Sequence, residues 1–314
     1  MATMTAAVIR EFGDASKLTI ESVRRPVPRE AEVLVKVHAA SINPIDFKTR
    51  AGTGVNRGWK DLQFPLILGW DISGVVAESN SPRFKQGDAV FALSRFPTVA
   101  GAYAQYACVP ERELALKPAS LDFAHAAAVP LAALTAWQAL FDNAGLCAGQ
   151  TVLVHAAAGG VGHLAVQLAK NAGAKVIGTA STRNKDYVLS LGVDQFIDYT
   201  QAKFEEVSGM VDVVFHTIGA DMRPRSWSIV KKGGWLVAIT GPVAENEGAQ
   251  YGANGKFISV RPNGEQLTKI GKLIDSGTVK IAVEKTYSLE EIAKAHQHVE
   301  LGRTRGKVVI AIPD

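Results

Sequence analysis

Two short stretches of this chain carry residue types whose spacing suits chemistry. The first is TVLVHAAAGGVGHLAVQLAKNAGAKVIGTAS, from Thr151 to Ser181. It reads as a β-branched run at 151–155, a glycine-rich turn from Ala156 to Gly162, a helical pattern and a second strand at 175–180. The helical pattern puts Val161, Leu164, Ala165, Leu168 and Ala169 on one face. Glycine lets the backbone turn sharply and approach a ligand, and a helix N-terminus offers unpaired N–H groups and the positive end of a dipole. Together they suit a phosphate. Gly159 and Gly162 fill two places of the G-x-G-x-x-G spacing and Ala157 stands at the first, so the fingerprint is one glycine short. A βαβ unit that binds nothing is the alternative. The second stretch lies at the end of the second strand, where a site for NAD wants an Asp or Glu on the ribose 2′-hydroxyl. Here stand Ser181, Thr182, Arg183 and Asn184, followed by Lys185. An acid would repel a 2′-phosphate, whereas short hydroxyls and a planar guanidinium hold one. The expected ligand is therefore NADPH; a solvated turn with ordinary charges is the competing reading.

Positioning such a turn takes a parallel sheet, and the chain supplies the rhythm for one. From Leu121 to Asp142 the sequence LDFAHAAAVPLAALTAWQALFD is alanine-rich and helical in pattern, broken at Pro130. After the glycine turn come a strand ending at Tyr199, a buried strand from Val211 to Gly219 and another from Gly233 to Gly241. This alternation predicts a doubly wound α/β fold. Upstream, residues 1–124 read as short strands punctuated by Gly, Pro and Asp, among them Ala6 to Arg10, Leu18 to Val23 and Glu32 to Ala40. They suggest a partly open β-barrel. Asn43-Pro44 turns the chain from a strand into a short helix. The last portion holds an amphipathic helix within 256–279, then a helix, a basic turn and a closing strand from Glu290 to Ile312. The predicted division is 1–124, 125–265, and 266–314 returning to the first domain.

Composition excludes several classes. The 314 residues carry 34 Lys plus Arg against 30 Asp plus Glu, a net charge of +4, with the cations scattered, so nucleic-acid binding has little support. Cys108 and Cys147 are the two cysteines and form no C-x-x-C pair, which fits a reducing compartment. No run of eighteen apolar residues occurs, and charges interrupt the N-terminal MATMTAAVIREFG, so a cytoplasmic protein is expected. Histidines 38, 125, 155, 163, 216, 296 and 298 show no metal-ligand spacing apart from His296 and His298, which on a helix face different ways.

Several blocks in order, AASINPIDFKTRAG, LGWDISGVV, KQGDAVFAL, GAYAQYA, AVPLAALTAWQAL, HAAAGGVGHLAVQLAK, VRPNGEQL and RGKVVI, span the chain. They resemble the medium-chain dehydrogenase/reductase superfamily, within it the zinc-free, ζ-crystallin-like branch of quinone oxidoreductases and enone reductases. The resemblance implies a Rossmann domain inserted in a GroES-like β-barrel catalytic domain, a cleft between them, and self-association, by default as a homodimer. It implies that Thr135, Gly160, Val161, Gly241, Phe257 and Ile258 line the nicotinamide and pyrophosphate, and that Tyr199 helps grip the 2′-phosphate. The basic turn of Arg303, Arg305 and Lys307 either adds a cofactor contact or caps the helix before it.

Zinc-dependent members place a cysteine, a histidine and a third ligand around the metal. In this chain those positions hold Asn43, Trp70 and a place near Leu131, so no metal is expected. Without a Lewis acid, a hydrogen bond to the carbonyl of an enone or quinone draws hydride onto the conjugated carbon. Asn43 and Lys48 are the expected donors and Asp46 positions their loop. Lys48 stands where many bacterial quinone reductases carry tyrosine, and the N-P-I-D-F-K loop resembles that of plant alkenal reductases, whose lysine contacts cofactor or substrate. Trp59, Trp70 and Phe47 are expected to wall the pocket. The implied activity is NADPH-dependent reduction of α,β-unsaturated carbonyls, with overlapping quinone reduction. A thioester enoyl reductase and a non-catalytic NADPH-binding sensor are the alternatives.

Overall fold

The computed structural model describes residues 2–60, 62–244 and 246–313. Two compact units emerge: Met1–Leu134 with Arg261–Gly277 and Ile281–Asp314, and Thr135–Val260 with Thr278–Lys280. The sequence division put the first boundary at 124, whereas these units part at Leu134, inside helix Pro130–Trp137 of the alanine-rich run, where no change of composition marks the crossing. Pro130 does break that run, separating helix Phe123–Ala127 from Pro130–Trp137, and a wider π-type turn follows over Gln138–Asn143.

In the first unit one sheet runs Val283–Ser288, Lys307–Ala311, Glu32–Ile42, Asp71–Ser79, Ala89–Leu93, Leu114–Leu116, with Tyr106–Pro110 also paired to Glu32–Ile42. A smaller sheet joins Thr19–Arg24, Thr3–Ile9 and Leu66–Ile67. Strand Glu32–Ile42 is the hub. Its residues Val33, Val35, Val37, Ala40 and Ile42 enter one apolar cluster with Ile72, Val90, Tyr103, Leu289, Val308 and Ile310. The strand ends at Asn43, where helix Pro44–Arg50 begins with proline in its first turn, the place where a missing N–H costs nothing. Asp46 reaches back and accepts the Asn43 backbone N–H at 2.6 Å, so the helix start is fixed from both sides.

The second unit is a six-stranded parallel sheet in the order Gln195–Asp198, Lys175–Ala180, Thr151–Val154, Val211–His216, Val230–Ala238, Asn254–Phe257. In chain order this is 3-2-1-4-5-6, the doubly wound arrangement. Val152, Leu153, Val154, Val213, Val214 and Phe215 are all buried, as central parallel strands covered on both faces require. The winding reverses between Thr151–Val154 and Val211–His216, and there the Thr217 hydroxyl donates to the His155 carbonyl at 2.7 Å. Among the described residues no helix is long and apolar enough to cross a membrane.

Candidate active site

In the second unit, the predicted cofactor positions gather at the carboxyl edge of one sheet. Gly159, Gly160, Val161 and Gly162 follow strand Thr151–Val154; Ser181, Thr182, Arg183 and Asn184 follow Lys175–Ala180; Tyr199 follows Gln195–Asp198. Gly241, with φ 98°, comes after Val230–Ala238, and Ile258 follows Phe257 at the end of Asn254–Phe257. Thr135 is buried within its helix. Ligands of such sheets sit in the crevice outside the strands' carboxyl ends, at the point of reversal. The ten-residue helix Gly162–Asn171 opens from Val161 without a side-chain cap, its His163 and Ala165 N–H groups donating to the Gly159 and Val161 carbonyls at 3.0 Å each, and it turns the positive end of its dipole toward the glycine turn. A Cβ on Gly162 would lie 2.1 Å from the Ala156 carbonyl oxygen, so only glycine lets helix and turn approach this closely. These features fit a dinucleotide pyrophosphate. The missing glycine has moved, however. Ala157 keeps ordinary backbone, and the left-handed residue is Ala156, with φ 48°.

The Ser181–Asn184 turn is a single 3-10 turn, with Thr182 and Arg183 exposed and Asn184 buried. Sheet register then brings in a group that the linear pattern hides. Ala180 pairs with Asp198, whose carboxylate accepts the Thr182 hydroxyl. The Thr182 and Thr200 hydroxyls hold Asp198 below the usual carboxylate range. The turn itself lacks an acid, but its neighbouring strand supplies one. Tyr199 is 59% exposed beside it and Phe257 is 40% exposed.

In the first unit, Asn43, expected as a free donor, lies 2% exposed with both ends of its amide engaged. Its Nδ2 donates to Asp71 Oδ2 at 2.8 Å, and its Oδ1 accepts from the Lys307 ammonium. Asp71 is wholly buried; it also takes the Ser41 hydroxyl at 2.7 Å and the Leu131 N–H at 2.7 Å, with Lys307 Nζ at 3.7 Å. Burial works against both charges of the pair, raising the Asp71 pKa and lowering that of Lys307, and each partner counters the effect on the other. Lys307 therefore corrects the expectation of a cofactor contact: it is a core residue of strand Lys307–Ala311. Arg305, also expected there, is exposed, and its backbone N–H donates to Glu284 at 3.1 Å. Lys48 stands exposed on helix Pro44–Arg50.

Asp46 is fully buried too, and its pKa is pushed up to about 7, first by burial and then by the Asp71 carboxylate, against the Asn43 N–H, Lys307 and Tyr103. Its Oδ2 takes the Asn43 backbone N–H at 2.6 Å, within the loop that it was expected to position. The indoles divide differently from the expected pocket wall. Trp70 is core, 1% exposed, donating to the Thr98 carbonyl at 2.7 Å, while the half-buried Trp59 donates to Pro97 at 2.8 Å. Neither an indole nor the Leu131 side chain ligates zinc, and the Asn43 oxygen is held by an ammonium, so these positions do not fit that metal. Among the described residues no three His, Cys, Asp or Glu side chains gather as a metal would require.

Sequence reading missed this cluster, although two signals were present: an aspartate inside the apolar LGWDISGVV block, and a lysine opening the apolar run KVVIAI. Two further buried networks were also hidden. Ser226 Oγ bridges His155 Nε2 at 3.0 Å and His216 Nδ1 at 3.2 Å, and His155 Nδ1 meets Thr179 Oγ1 at 3.2 Å. In the first unit Arg50 pairs with Glu300 and lies 3.2 Å from His296 Nδ1.

Comparison with known proteins follows the same lines. Residues 29–119 match the family described as alcohol dehydrogenase GroES-like domain, and residues 191–310 the family described as zinc-binding dehydrogenase. A 2-methylene-furan-3-one reductase of Solanum lycopersicum is 38% identical, covering 98% of this chain and 79% of its own length. A chloroplastic NADPH-dependent alkenal/one oxidoreductase of Arabidopsis thaliana is 38% identical with the same coverage, 98% and 79%. Among solved structures, a quinone oxidoreductase from Coxiella burnetii gives a TM-score of 0.92 at 36% identity, over 99% of this chain and 100% of that one.

Proposed function

This chain belongs to the medium-chain dehydrogenase/reductase superfamily, and on that premise we propose that it is an NADPH-dependent, zinc-independent reductase of α,β-unsaturated carbonyls and quinones. One observation carries the reading. The glycine turn, the acid-free Ser181–Asn184 turn, Tyr199 and Ile258 all follow carboxyl ends of one parallel sheet, beside a helix N-terminus left without a side-chain cap. The relatives named for furanone, alkenal and quinone substrates support the acceptor class.

When bound, NADPH supplies the hydride. The chain's own residues do the rest. Gly159, Gly160, Val161 and Gly162, at the N-terminal end of helix Gly162–Asn171, receive the pyrophosphate, and Ser181, Thr182, Arg183, Asn184 and Tyr199 receive the 2′-phosphate. Thr135, Gly241, Phe257 and Ile258 flank the remainder of the cofactor, with Arg305 as an outlying cation. On the substrate side, the remaining N–H of the Asn43 amide and the Lys48 ammonium stabilise negative charge developing on the carbonyl oxygen. Asp46 holds the start of their helix. No step needs a metal, because positions 43, 70 and 131 offer no zinc ligand set. A cytoplasmic location and a homodimer belong to the same reading; sedimentation of the purified chain tests the latter.

The deciding experiment is oxidation of NADPH and NADH with matched enones, quinones, enoyl thioesters and aldehydes, with and without EDTA. Turnover of enones with NADPH that survives the chelator is expected. Dependence on zinc, a preference for thioesters, or tight NADPH binding with no turnover would overturn the assignment.

A further inference from the structure

Lys307 is a fully buried cation on a strand, far in sequence from every residue it serves. Strand Lys307–Ala311 pairs antiparallel with Glu32–Ile42, with Val308 opposite Ile42, and this register sets Lys307 beside Asn43. The ammonium donates to the Ile42 carbonyl at 3.1 Å and to Asn43 Oδ1, and stands 3.7 Å from Asp71 Oδ2. An ammonium only donates and an ionised carboxylate only accepts. The amide between them therefore has one orientation, oxygen to Lys307 and nitrogen to Asp71; a flipped amide would meet like with like at both ends. With Oδ1 on a cation and one N–H on a carboxylate, the other N–H keeps a fixed direction, and a charge-bonded carbonyl makes its own amide a stronger donor. A buried ion pair is weak evidence for stability, since apolar replacements of similar volume often do as well. The pair calls for another reason to be there.

We infer that Lys307, with Asp71 as its counter-ion, is a positioning residue that orients and polarises the Asn43 amide as the donor to the reacting carbonyl. The inference rests on the reading of Asn43 as that donor.

The test is a double-mutant cycle of Asn43→Ala and Lys307→Met in the full-length enzyme, with NADPH and a small enone. Lys307→Met should lower kcat by roughly tenfold to a hundredfold, leave KM and the NADPH Kd from cofactor fluorescence within about twofold, and add nothing once Asn43 is alanine. Lys307→Arg should restore part of the loss. Losses that multiply in the double variant, or an unchanged kcat in Lys307→Met, would overturn the inference. Should Lys307→Met fail to fold, Lys307→Met/Asp71→Asn removes both buried charges and carries the same cycle against Asp71→Asn. A readout without cofactor or substrate comes from the Asn43 side-chain NH2 resonances. They should be widely separated in the wild type and collapse toward each other in Lys307→Met; unmoved resonances would overturn the positioning role. Full kcat in Asn43→Ala refutes Asn43 as donor and the inference with it. Collapse of the NH2 resonances in a protein that reduces no enone refutes the proposed reaction and supports the orienting contact.

Discussion

Acid should loosen the second unit before the first, and the structure gives the size of the difference. His155 is 1% exposed and its partners assign its protons. His216 Nε2 lies 3.0 Å from the Gly219 carbonyl and must carry hydrogen, so its Nδ1 accepts from Ser226. The Ser226 oxygen then takes the His155 Nε2–H, and His155 Nδ1 accepts from Thr179. Both rings are neutral in this arrangement; the Ser226 hydroxyl also reaches the Met222 carbonyl at 3.2 Å, so it is burial that opposes a further proton on either ring. Burial first, then the neighbouring His216 and Arg225, pushes the His155 pKa down to about 3, against 6.5 for a free imidazole. A group depressed in this way contributes stability in full above about pH 6.5, where the unfolded chain binds no proton, and loses it as pH falls toward 3. At about pH 4.5 the loss is on the order of 2 to 3 kcal/mol. His216, also depressed by burial, adds to it. In the first unit His296, likewise near 3 through burial and Arg50, loses about the same. Asp46 acts the other way: with a folded pKa of about 7, its penalty for ionising disappears as pH falls. In the first unit the raised carboxylates Asp46 and Asp71 therefore oppose the loss at His296, whereas in the second Asp198 and Asp212 are depressed and lose stability in acid along with His155. Hydrogen-exchange protection, corrected for intrinsic rates and mapped by peptide at about pH 7 and pH 4.5, should fall by at least about fiftyfold in the sheet of the second unit and by far less in the first. Equal losses in the two units, or a His155 imidazole that titrates near 6.5 by NMR in the folded protein, would refute the reasoning.

Three substitutions probe the cofactor side. Arg183→Ala should weaken NADPH by about tenfold or more and NADH by less than about twofold, measured by fluorescence titration; equal losses would remove the 2′-phosphate assignment. Asp198→Asn takes away the carboxylate that sits on Thr182, and the ratio of NADPH to NADH affinity should rise on the order of fivefold. An unchanged ratio would place that acid outside the cofactor's field. Ala156→Gly relieves a non-glycine residue at φ 48°, and the urea midpoint should move up by the equivalent of about 0.5–1 kcal/mol; a lower midpoint would show that the turn does not need the left-handed conformation.

The second unit was legible in the sequence because its strands announce themselves. Val152 to Val154 and Val213 to Phe215 are apolar without alternation, and helical patterns space them. The edges of the runs were less clear: the strand expected from Gly233 begins at Val230, with a register break against Val211–Val213 that no local pattern discloses. The Asn43–Lys48 loop was legible as types and spacing, but its surroundings were not. Asn43, Asp71 and Lys307 meet through the order of strands in a sheet, Leu131 joins them from helix Pro130–Trp137, and nothing in the alternation of one strand names its neighbour. Asp198 was hidden in the same way, since its approach to Thr182 follows from the pairing of Ala180 with Asp198. The turn of 156–162 shows a subtler limit. Spacing located the loop, whereas the residue with left-handed backbone, Ala156, lies one position earlier than the fingerprint suggested.

Strand Lys307–Ala311 has a consequence for how the chain is made. It fills the place between Glu32–Ile42 and Val283–Ser288, so the edge from Ala39 to Ile42 stays unpaired while the ribosome synthesises everything in between. Asp71 waits equally long for its counter-ion. The second unit is nearly complete by Val260, needing only the Thr278–Lys280 segment. The order of folding at the ribosome is thus the reverse of the order in sequence: the inserted unit closes first, and the unit that began the chain closes last. Until then its longest strand presents an open edge, which makes the nascent chain, rather than the finished protein, the form most exposed to mispairing.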